Sequence, residues 1–364
     1  MAFTYVCTGF PGFLAAELLK DLFRTQKVEH VYLLHLPHME KEARTRLHDC
    51  LEDPAVDGCR ITLITGDITK KDLGIDVSTA EELKQNLTHF YHLAALYDLA
   101  VPLAPALQVN VQGTREVLRF LQGCLRLNRC LYFSTAYVSG KRQGTVYEHE
   151  LKHSHGFKNH YEFTKYEAEK LVQEYQHRLP LTIVRPGIVV GHTRTGSTAK
   201  FDGPYFILNL LHSLKSLPVV PYFGKGRARV NLVPHDYVVQ AANVLTHLPD
   251  AEGKTYHLTD PHPYTARDIY YHFAYLYADK QPHLTVPLAA ARPPLKLKQV
   301  RRKLGIQKEA LDYFEIAADY DSAQAENDLA SSGLYCPDLF YYTQPLVHYY
   351  EEHKDNPAKH VPIL

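Results

Sequence analysis

The stretch Phe3-Thr-Tyr-Val-Cys-Thr-Gly-Phe-Pro-Gly-Phe-Leu-Ala15 decides the fold. It opens with an apolar, β-branched run that predicts a buried strand, and the apolar spacing of Leu14–Phe23 predicts a helix. Between them, Gly9 permits a tight turn, Gly12 lets a phosphate approach the backbone, and Ala15 permits close packing of helix on strand. Strand, glycine turn and helix together predict a pyrophosphate site at the helix N-terminus. The residues predicted to contact the dinucleotide here are Gly9, Phe10, Pro11, Gly12, Phe13 and Leu14.

The rest of the first half of the chain alternates strands and helices. The further predicted strands are Val31–Leu34, Ile61–Thr65, His89–Leu93, Cys130–Ser134 and Leu181–Arg185, and the predicted helices include Leu107–Cys124 and Tyr161–Arg178. Repeated β–α units with right-handed crossovers build a parallel sheet of the Rossmann type. We therefore expect an α/β fold, a doubly wound parallel sheet with a smaller, discontinuous C-terminal substrate domain.

The alternation breaks after Gly191, where glycine and proline punctuate the chain. Residues 231–245 and then 254–258 again have the pattern of a helix followed by a strand. The expected division is a dinucleotide-binding domain over 1–190 and 230–260, and a substrate-binding domain over 191–229 and 261–364.

A second motif, Tyr161-Glu-Phe-Thr-Lys165, lies far downstream of the glycine turn. A phenol and an ammonium four residues apart share one face of a helix. The ammonium, with the charge of an oxidised nicotinamide, is expected to stabilise the phenolate and lower the pKa of Tyr161. The motif alone is common in helices, but paired with a dinucleotide turn it indicates hydride-transfer chemistry.

Composition excludes several classes of protein. Lysine plus arginine and aspartate plus glutamate number 40 each, so the charge gives no signal for a nucleic-acid partner. No stretch approaches the roughly 20 apolar residues of a transmembrane segment, and the first residues lead into the predicted strand instead of a leader. Six cysteines without Cys-x-x-Cys spacing favour reduced thiols in the cytoplasm. No metal site is expected, because no carboxylate or cysteine completes the histidine group His149, His153, His155 and His160.

Motifs over residues 1–260 give the chain a family resemblance. They are Thr8–Leu14, Gly66–Ile68, His92–Ala95, Asn110–Thr114, Phe133–Gly140, Tyr161–Lys165 and Val184–Ile188. In this order and spacing they resemble the extended short-chain dehydrogenases/reductases. Ser134–Val138 and the pair Arg194–Gly196 and Asp202–Tyr205 resemble the thioester reductase and fatty acyl-CoA reductase branch.

The resemblance implies roles for particular residues. Thr135 matches the catalytic Ser/Thr, Tyr161 the acid/base, Lys165 the residue that bonds the ribose, and Asn110 an asparagine that orders the site through a water. The other cofactor contacts that the resemblance implies are Asp67, Ile68, Ala94, Ala95, Pro186, Gly187 and Ile188. Two simpler roles stay open, a helix cap for Asn110 and a strand-end hydrogen bond for Thr135. Arg185 is expected to be a structural ion-pair partner.

The residues that follow the second strand indicate the preference between NADP and NAD. The reductase branch resembled here usually has an arginine there, whereas NAD-specific relatives have a carboxylate. This chain has Leu33-Leu-His-Leu-Pro37, with neither. His35 or His38, or a base further on (Lys41, Arg44 or Arg46), is the candidate for a 2′-phosphate. Because no acid stands there to repel a phosphate, we expect NADP, with NAD possible.

The favoured function is that of an NAD(P)H-dependent reductase that transfers hydride to a small-molecule carbonyl, an acyl thioester or fatty aldehyde. Thr135 and Tyr161 would donate hydrogen bonds to the developing oxyanion. A nucleotide-sugar epimerase or dehydratase would use the same residues, and a non-catalytic NAD(P)-binding sensor would need only the glycine turn. The apolar stretch Tyr205–Leu217 favours an acyl chain, although core packing is the ordinary role of such a stripe.

The basic run Lys296–Lys303 is a candidate site for an anionic partner. It is either a solvated helix face or a dock for the phosphates of CoA or the acidic surface of an acyl carrier protein. The sequence leaves open whether the chain is a monomer or a homodimer.

Overall fold

The structure, a computed structural model, describes residues 2–97, 101–287, 297–305 and 318–361, with the single residues 290 and 293. In chain order its strands are β1 (Phe3–Thr8), β2 (Val28–His35), β3 (Ile61–Thr65), β4 (His89–His92), β5 (Arg129–Phe133), β6 (Gly144–Val146), β7 (Leu181–Pro186), β8 (Ile188–Val190), β9 (Pro221–Phe223), β10 (Leu232–Pro234), β11 (Thr255–Leu258), β12 (Leu284–Val286) and β13 (Ala318–Tyr320). Its helices are α1 (Phe13–Thr25), α2 (Glu40–Leu51), α3 (Val77–Asn86), α4 (Leu103–Ala106), α5 (Thr114–Leu121), α6 (His160–Tyr175), α7 (Tyr205–Leu214), α8 (His235–His247), α9 (Ala266–Ala278), α10 (Lys298–Leu304), α11 (Ala323–Ala330) and α12 (Leu339–His353).

Seven strands form one parallel sheet in the order β3-β2-β1-β4-β5-β7-β11. Helices cover both faces, which explains why the strands are apolar runs. On β1, Tyr5 and Cys7 pack into the core shared with α1 and α8, whereas Val6 packs into the core shared with α5 and α6. The predicted fold class, a doubly wound parallel sheet, is confirmed.

The predicted strands are present within a few residues of their expected bounds. β3 has the predicted bounds, and β2 begins three residues earlier than expected. The predicted helix over 107–124 corresponds to a helical segment over 103–121, in which α4 and α5 are joined by a π-helical turn, Leu107–Gly113. Such turns often occur at functional sites, and this one contains Asn110.

A smaller unit packs beyond the carboxyl end of the sheet. Its core combines α7, α9 and α12 with the short parallel pairs β8–β10 and β9–β12. The apolar side chains of α7, including Tyr205, Leu208 and Leu211, are buried in this core. The apolar stripe therefore has its ordinary role of core packing along α7.

Residues 318–330 return to the first half of the chain. β13 pairs in parallel with β6, and Ala325 and Leu329 of α11 belong to the core built on β1, α1 and α8. The predicted division into two domains stays a prediction, but this stretch, which it assigns to the substrate domain, lies against the dinucleotide half. Within the described part of the chain, no helix has both the length and the apolar character needed to cross a membrane.

Candidate active site

The glycine turn forms a backbone cradle at the carboxyl edge of the sheet. Gly9 has φ +91°, and a Cβ there would lie 2.9 Å from the nitrogen of Ala94, which with Ala95 forms the half-buried loop after β4. The Gly12 N–H donates to the Gly9 carbonyl at 2.7 Å, and a Cβ on Gly12 would lie 2.5 Å from that oxygen. No side chain caps the N-terminus of α1. The backbone N–H groups of the first turn of α1 fit the pyrophosphate of NAD(P).

The other residues of the turn present mainly backbone to this cradle. Phe10 is buried in the core between α1 and the sheet, and the Phe10–Pro11 peptide bond is cis. The Phe13 ring packs edge-on against the buried ring of His235, with centroids 4.7 Å apart. Leu14 is half-buried against the same core.

The expected adenine end lies at the ends of β2 and β3. His35 is buried, and its Nδ1 lies 3.0 Å from the carbonyl of the next residue. Asp67 is fixed in its loop because Oδ1 accepts hydrogen bonds from the Thr69 N–H at 2.9 Å and hydroxyl at 2.8 Å. Ile68 is buried under the π-helical turn, where a Cβ on Gly113 would lie 2.6 Å from its Cδ1.

Two of the bases considered for a 2′-phosphate face carboxylates on their own helix. Arg44 lies 2.7 Å from Glu40, and Arg46 lies 3.7 Å from Asp49. All four side chains are substantially exposed, so each ion pair contributes little free energy and does not hold its arginine firmly.

A chain of buried hydrogen bonds joins the glycine-turn strand to the π-helical turn. The Ala94 N–H lies 3.1 Å from Thr8 Oγ1, which lies 2.9 Å from His92 Nδ1. His92 Nε2 lies 3.1 Å from the Thr114 hydroxyl, which donates to the Asn110 carbonyl at 2.7 Å. Burial lowers the pKa of His92 to about 3, so the ring is neutral. Each donor in the chain then has one acceptor if Nε2 carries the proton.

Asn110 fixes α6 against the loop after β4. Its Oδ1 accepts from the Leu96 N–H at 2.7 Å, and its Nδ2 donates to the Thr164 hydroxyl at 3.0 Å. Asn110 lies inside a helical segment, so the helix-cap alternative is wrong. Protein groups bond both ends of the amide, so the implied role through a water stays a prediction.

Tyr161 and Lys165 both lie on α6, and the surroundings of Tyr161 differ from the expectation. Its ring is edge-on to that of Tyr97, with centroids 5.1 Å apart. Burial raises the pKa of Tyr161 well above its usual value, and the neighbouring Glu162 carboxylate adds to the rise. The expected lowering of this pKa is therefore not what the protein's own groups produce. The phenol keeps its proton at neutral pH, the state that a proton donor needs.

Lys165 is bonded on its sheet side. Its Nζ donates to the Tyr132 hydroxyl at 2.9 Å and to the Phe133 carbonyl at 2.6 Å, and lies 4.4 Å from the centre of the Tyr132 ring. Burial lowers the pKa of Lys165 to about 7, although the Glu169 carboxylate one turn away opposes this. Burial therefore determines the charge of Lys165 more than any single charged neighbour does.

Thr135 stands just beyond the end of β5. Its Oγ1 accepts from the Tyr137 N–H at 3.3 Å, so the strand-end role is present. That bond uses an oxygen lone pair and leaves the hydroxyl hydrogen to donate elsewhere.

The expected nicotinamide contacts lie where β7 ends and β8 begins. The Ile188 N–H donates to the Asn231 carbonyl at 2.9 Å, and a Cβ on Gly187 would lie 2.8 Å from the same oxygen. Pro186, the last residue of β7, is buried.

Arg185 forms a completely buried ion pair with Glu169 at 2.5 Å, as expected of a structural residue. Glu169 also accepts a short hydrogen bond from Ser134, which precedes Thr135. Arg185 reaches the carbonyl of Glu148 at 3.1 Å. The pair therefore connects α6 to the strand end that carries Thr135.

Sequence reasoning missed several residues that shape this site. Tyr132, Thr164, Tyr97 and Glu148 contact the predicted residues across the fold. No motif singles out Tyr132, because its contact with Lys165 joins residues 33 positions apart in the sequence. In the histidine group near residue 155, His153 bonds the backbone: its Nε2 lies 2.8 Å from the carbonyl oxygen of Val138. The described residues contain no group of three or more metal-ligating side chains in a metal-binding arrangement.

Known proteins share the fold of this chain. The terminal R domain from the myxalamid PKS-NRPS biosynthetic pathway superposes with a TM-score of 0.83 and is 27% identical, with 98% of this chain and 92% of that domain covered. The UDP-glucuronic acid 4-epimerase of Bacillus cereus has a TM-score of 0.67 at 16% identity, with 96% of this chain and 99% of that chain covered. The second likeness shows the shared fold alone.

Among the curated relatives, the fatty acyl-CoA reductase wat of Drosophila melanogaster is 29% identical over 268 residues, which cover 64% of this chain and 52% of the relative. The chain thus spans about half the length of that relative. The resemblance to the thioester reductase and fatty acyl-CoA reductase branch of the extended short-chain dehydrogenases/reductases is confirmed. Because the family model of the male sterility proteins matches residues 7–242, well over half of the sequence, the chain belongs to the male sterility protein family.

Proposed function

We propose that this chain is an NAD(P)H-dependent reductase that transfers hydride to the carbonyl carbon of an acyl thioester or a fatty aldehyde. One observation carries the proposal: Tyr161 and Lys165 lie one turn apart on α6, and Lys165 bonds the end of β5 at the Phe133 carbonyl. Thr135 follows two residues later, on the edge of the sheet that also carries the glycine turn. The name of the fatty acyl-CoA reductase supports this substrate class.

In this proposal the protein positions the cofactor along the carboxyl edge of the sheet. Gly9, Gly12 and the first turn of α1 would hold the pyrophosphate, and Asp67 with Ile68 would hold the adenine. Lys165 would bond the ribose, and residues 186–188 would contact the nicotinamide. When bound, the nicotinamide supplies the hydride that adds to the carbonyl carbon.

The residues of this chain would manage the charge and the proton. Thr135 and Tyr161 would donate hydrogen bonds to the carbonyl oxygen as negative charge develops on it. With an aldehyde, the Tyr161 proton moves to that oxygen and gives an alcohol. With a thioester, the resulting hemithioacetal breaks its C–S bond and gives aldehyde and thiol. The raised pKa of Tyr161 suits this direction, because the phenol begins protonated.

The proposal is tested by the oxidation of NADPH and NADH by the purified chain with a long-chain acyl-CoA, a fatty aldehyde and a UDP-sugar in parallel. The proposal expects turnover with one of the first two substrates, and loss of that turnover in Tyr161→Phe. Conversion of the sugar nucleotide alone would instead establish the epimerase or dehydratase alternative. Cofactor binding without any turnover would favour the non-catalytic sensor.

Two finer points belong to the same proposal. We infer NADP as the preferred cofactor, because residues 36–39, directly after β2, include no carboxylate that would repel a 2′-phosphate. CoA or an acyl carrier protein would present the thioester; part of the basic run over 296–303 considered as its dock lies outside the described residues. The cytoplasm is the proposed location, because all six cysteines are free thiols.

A further inference from the structure

Tyr132 lies behind Lys165 on the sheet, where no motif assigns it a role. It is the fourth residue of β5 and is 2% exposed. Its hydroxyl accepts a hydrogen bond from Lys165 Nζ at 2.9 Å, and its ring centre lies 4.4 Å from the same nitrogen. One phenol therefore offers the ammonium both a hydrogen-bond acceptor and the face of an aromatic ring.

The position of these contacts determines where the rest of the ammonium points. Tyr132 and the Phe133 carbonyl, both on β5, take two of its three N–H groups. The third is left to the side of α6 that also carries Tyr161, one turn earlier. We propose that Tyr132 is a positioning residue, whose hydroxyl holds the Lys165 ammonium charged and oriented toward Tyr161 and the cofactor ribose. The catalytic importance of this contact rests on the proposed function, whereas the pKa and binding measurements that test it need no turnover.

Glu169 supports the charge of Lys165 through space, but within the described part of the chain Tyr132 is the one side chain that forms a hydrogen bond with the ammonium. Glu169, one turn further along α6, is committed to Arg185 of β7 and to a hydroxyl of β5. His92 of β4 is kept neutral by burial and by the charge of Lys165, so it offers the ammonium no negative charge. Tyr161 is protonated and carries no charge. The Tyr132 hydroxyl is consequently the side-chain acceptor that bonds the ammonium directly.

The test is Tyr132→Phe, which keeps the ring and removes the acceptor. Tyr91→Phe is its matched control, because Tyr91 is a buried tyrosine on the adjacent strand whose hydroxyl donates to Asn243 at 2.8 Å in the opposite core layer. Each variant loses one buried hydroxyl hydrogen bond, so their thermal unfolding should be similarly affected. Only Tyr132→Phe should alter Lys165.

The direct measurement is an NMR titration of lysine ε-carbons in uniformly lysine-labelled protein, with the Lys165 signal assigned by its absence from Lys165→Arg. Losing an acceptor disfavours the charged amine, so the Lys165 pKa should fall by about one unit in Tyr132→Phe, the size of an ordinary charge-assisted hydrogen bond. It should not move in Tyr91→Phe. An unchanged pKa in Tyr132→Phe, or an equal fall in both variants, would overturn the inference.

Cofactor affinity gives a second readout that needs no turnover. If the charged amine bonds the ribose, NADPH binding by Tyr132→Phe should weaken about tenfold at pH 8 and about twofold at pH 6 relative to the wild type. A loss independent of pH would indicate a merely structural change and would overturn the positioning role. If the wild type reduces no carbonyl substrate, the proposed function fails while these two measurements still decide the role of Tyr132.

Discussion

The side-chain amide of Asn110 donates a 3.0 Å hydrogen bond to the hydroxyl of Thr164, the residue before Lys165. The other end of the same amide accepts from the Leu96 N–H at 2.7 Å. One side chain thus fixes the proposed catalytic helix relative to the loop that follows β4. Asn110 and Thr164 are both buried, so the hydrogen bond between them is shielded from solvent.

Replacement of Asn110 should therefore cost stability. Asn110→Ala leaves the Leu96 N–H and the Thr164 hydroxyl without this partner, and should lower the free energy of unfolding by about 1–3 kcal/mol. Urea denaturation measures the loss. Thr164→Val keeps the bond to Leu96 and should cost less. A larger loss in Thr164→Val would show that the contact to the β4 loop contributes little.

Tyr161→Phe should lower kcat at least about 10²-fold, the scale of general acid catalysis, while leaving NADPH affinity nearly unchanged. Steady-state kinetics and direct cofactor titration separate the two effects. Lys165→Ala should damage both, because it removes the proposed ribose contact. Near-normal turnover in Tyr161→Phe would end the assignment of this residue.

Lys165 should make stability depend on pH. Burial lowers its pKa to about 7 from an ordinary 10.5, so between these values the unfolded chain binds a proton that the folded chain does not. The free energy of unfolding of the wild type should then rise with pH above about 7 relative to Lys165→Met, by on the order of 1 kcal/mol per pH unit. Urea titrations from pH 6 to 9 measure the difference. Lys170→Met, which removes a half-exposed lysine of the same helix, is the control; curves for Lys165→Met that stay parallel to the wild type would contradict the linkage.

Gly9→Ala should lose cofactor binding as well as stability. Its φ of +91° costs a side chain on the order of 1–2 kcal/mol, and the new Cβ would press on the Ala94 nitrogen. Gly253→Ala shares only the strain, because φ is +74° there and nothing lies within 4 Å of the new Cβ. Calorimetric NADPH titration and urea denaturation compare the two. Equal losses would mean that the close approach to Ala94 does not matter.

Leu36→Arg should raise NADPH use relative to NADH. Leu36 is half-buried directly after β2, and a guanidinium there would be able to bond the 2′-phosphate. The ratio of kcat/KM for the two cofactors measures the preference. An unchanged or inverted ratio would place the phosphate away from this strand end.

The sequence predicts the part of this molecule that depends on local pattern. The strand runs, the glycine turn and the spacing of Tyr161 and Lys165 appear in the fold as expected, because apolar period and turn residues act over short distances. The surroundings of those residues depend on contacts between distant segments, such as Tyr132 with Lys165 or Glu148 with α11. In the protein alone the pKa of Tyr161 rises for the same reason, since burial belongs to the whole fold.

The return of residues 318–330 to the first half of the chain has a consequence for biosynthesis. Ala325 and Leu329 complete a core that begins with Tyr5, and the Glu148 carboxylate accepts backbone N–H groups from the start of α11. A chain emerging from the ribosome has made every strand of the main sheet before α11 exists. The apolar surface that awaits this helix stays exposed until residues 318–330 have been made, so the dinucleotide half reaches its full stability only then and is open to aggregation before that point.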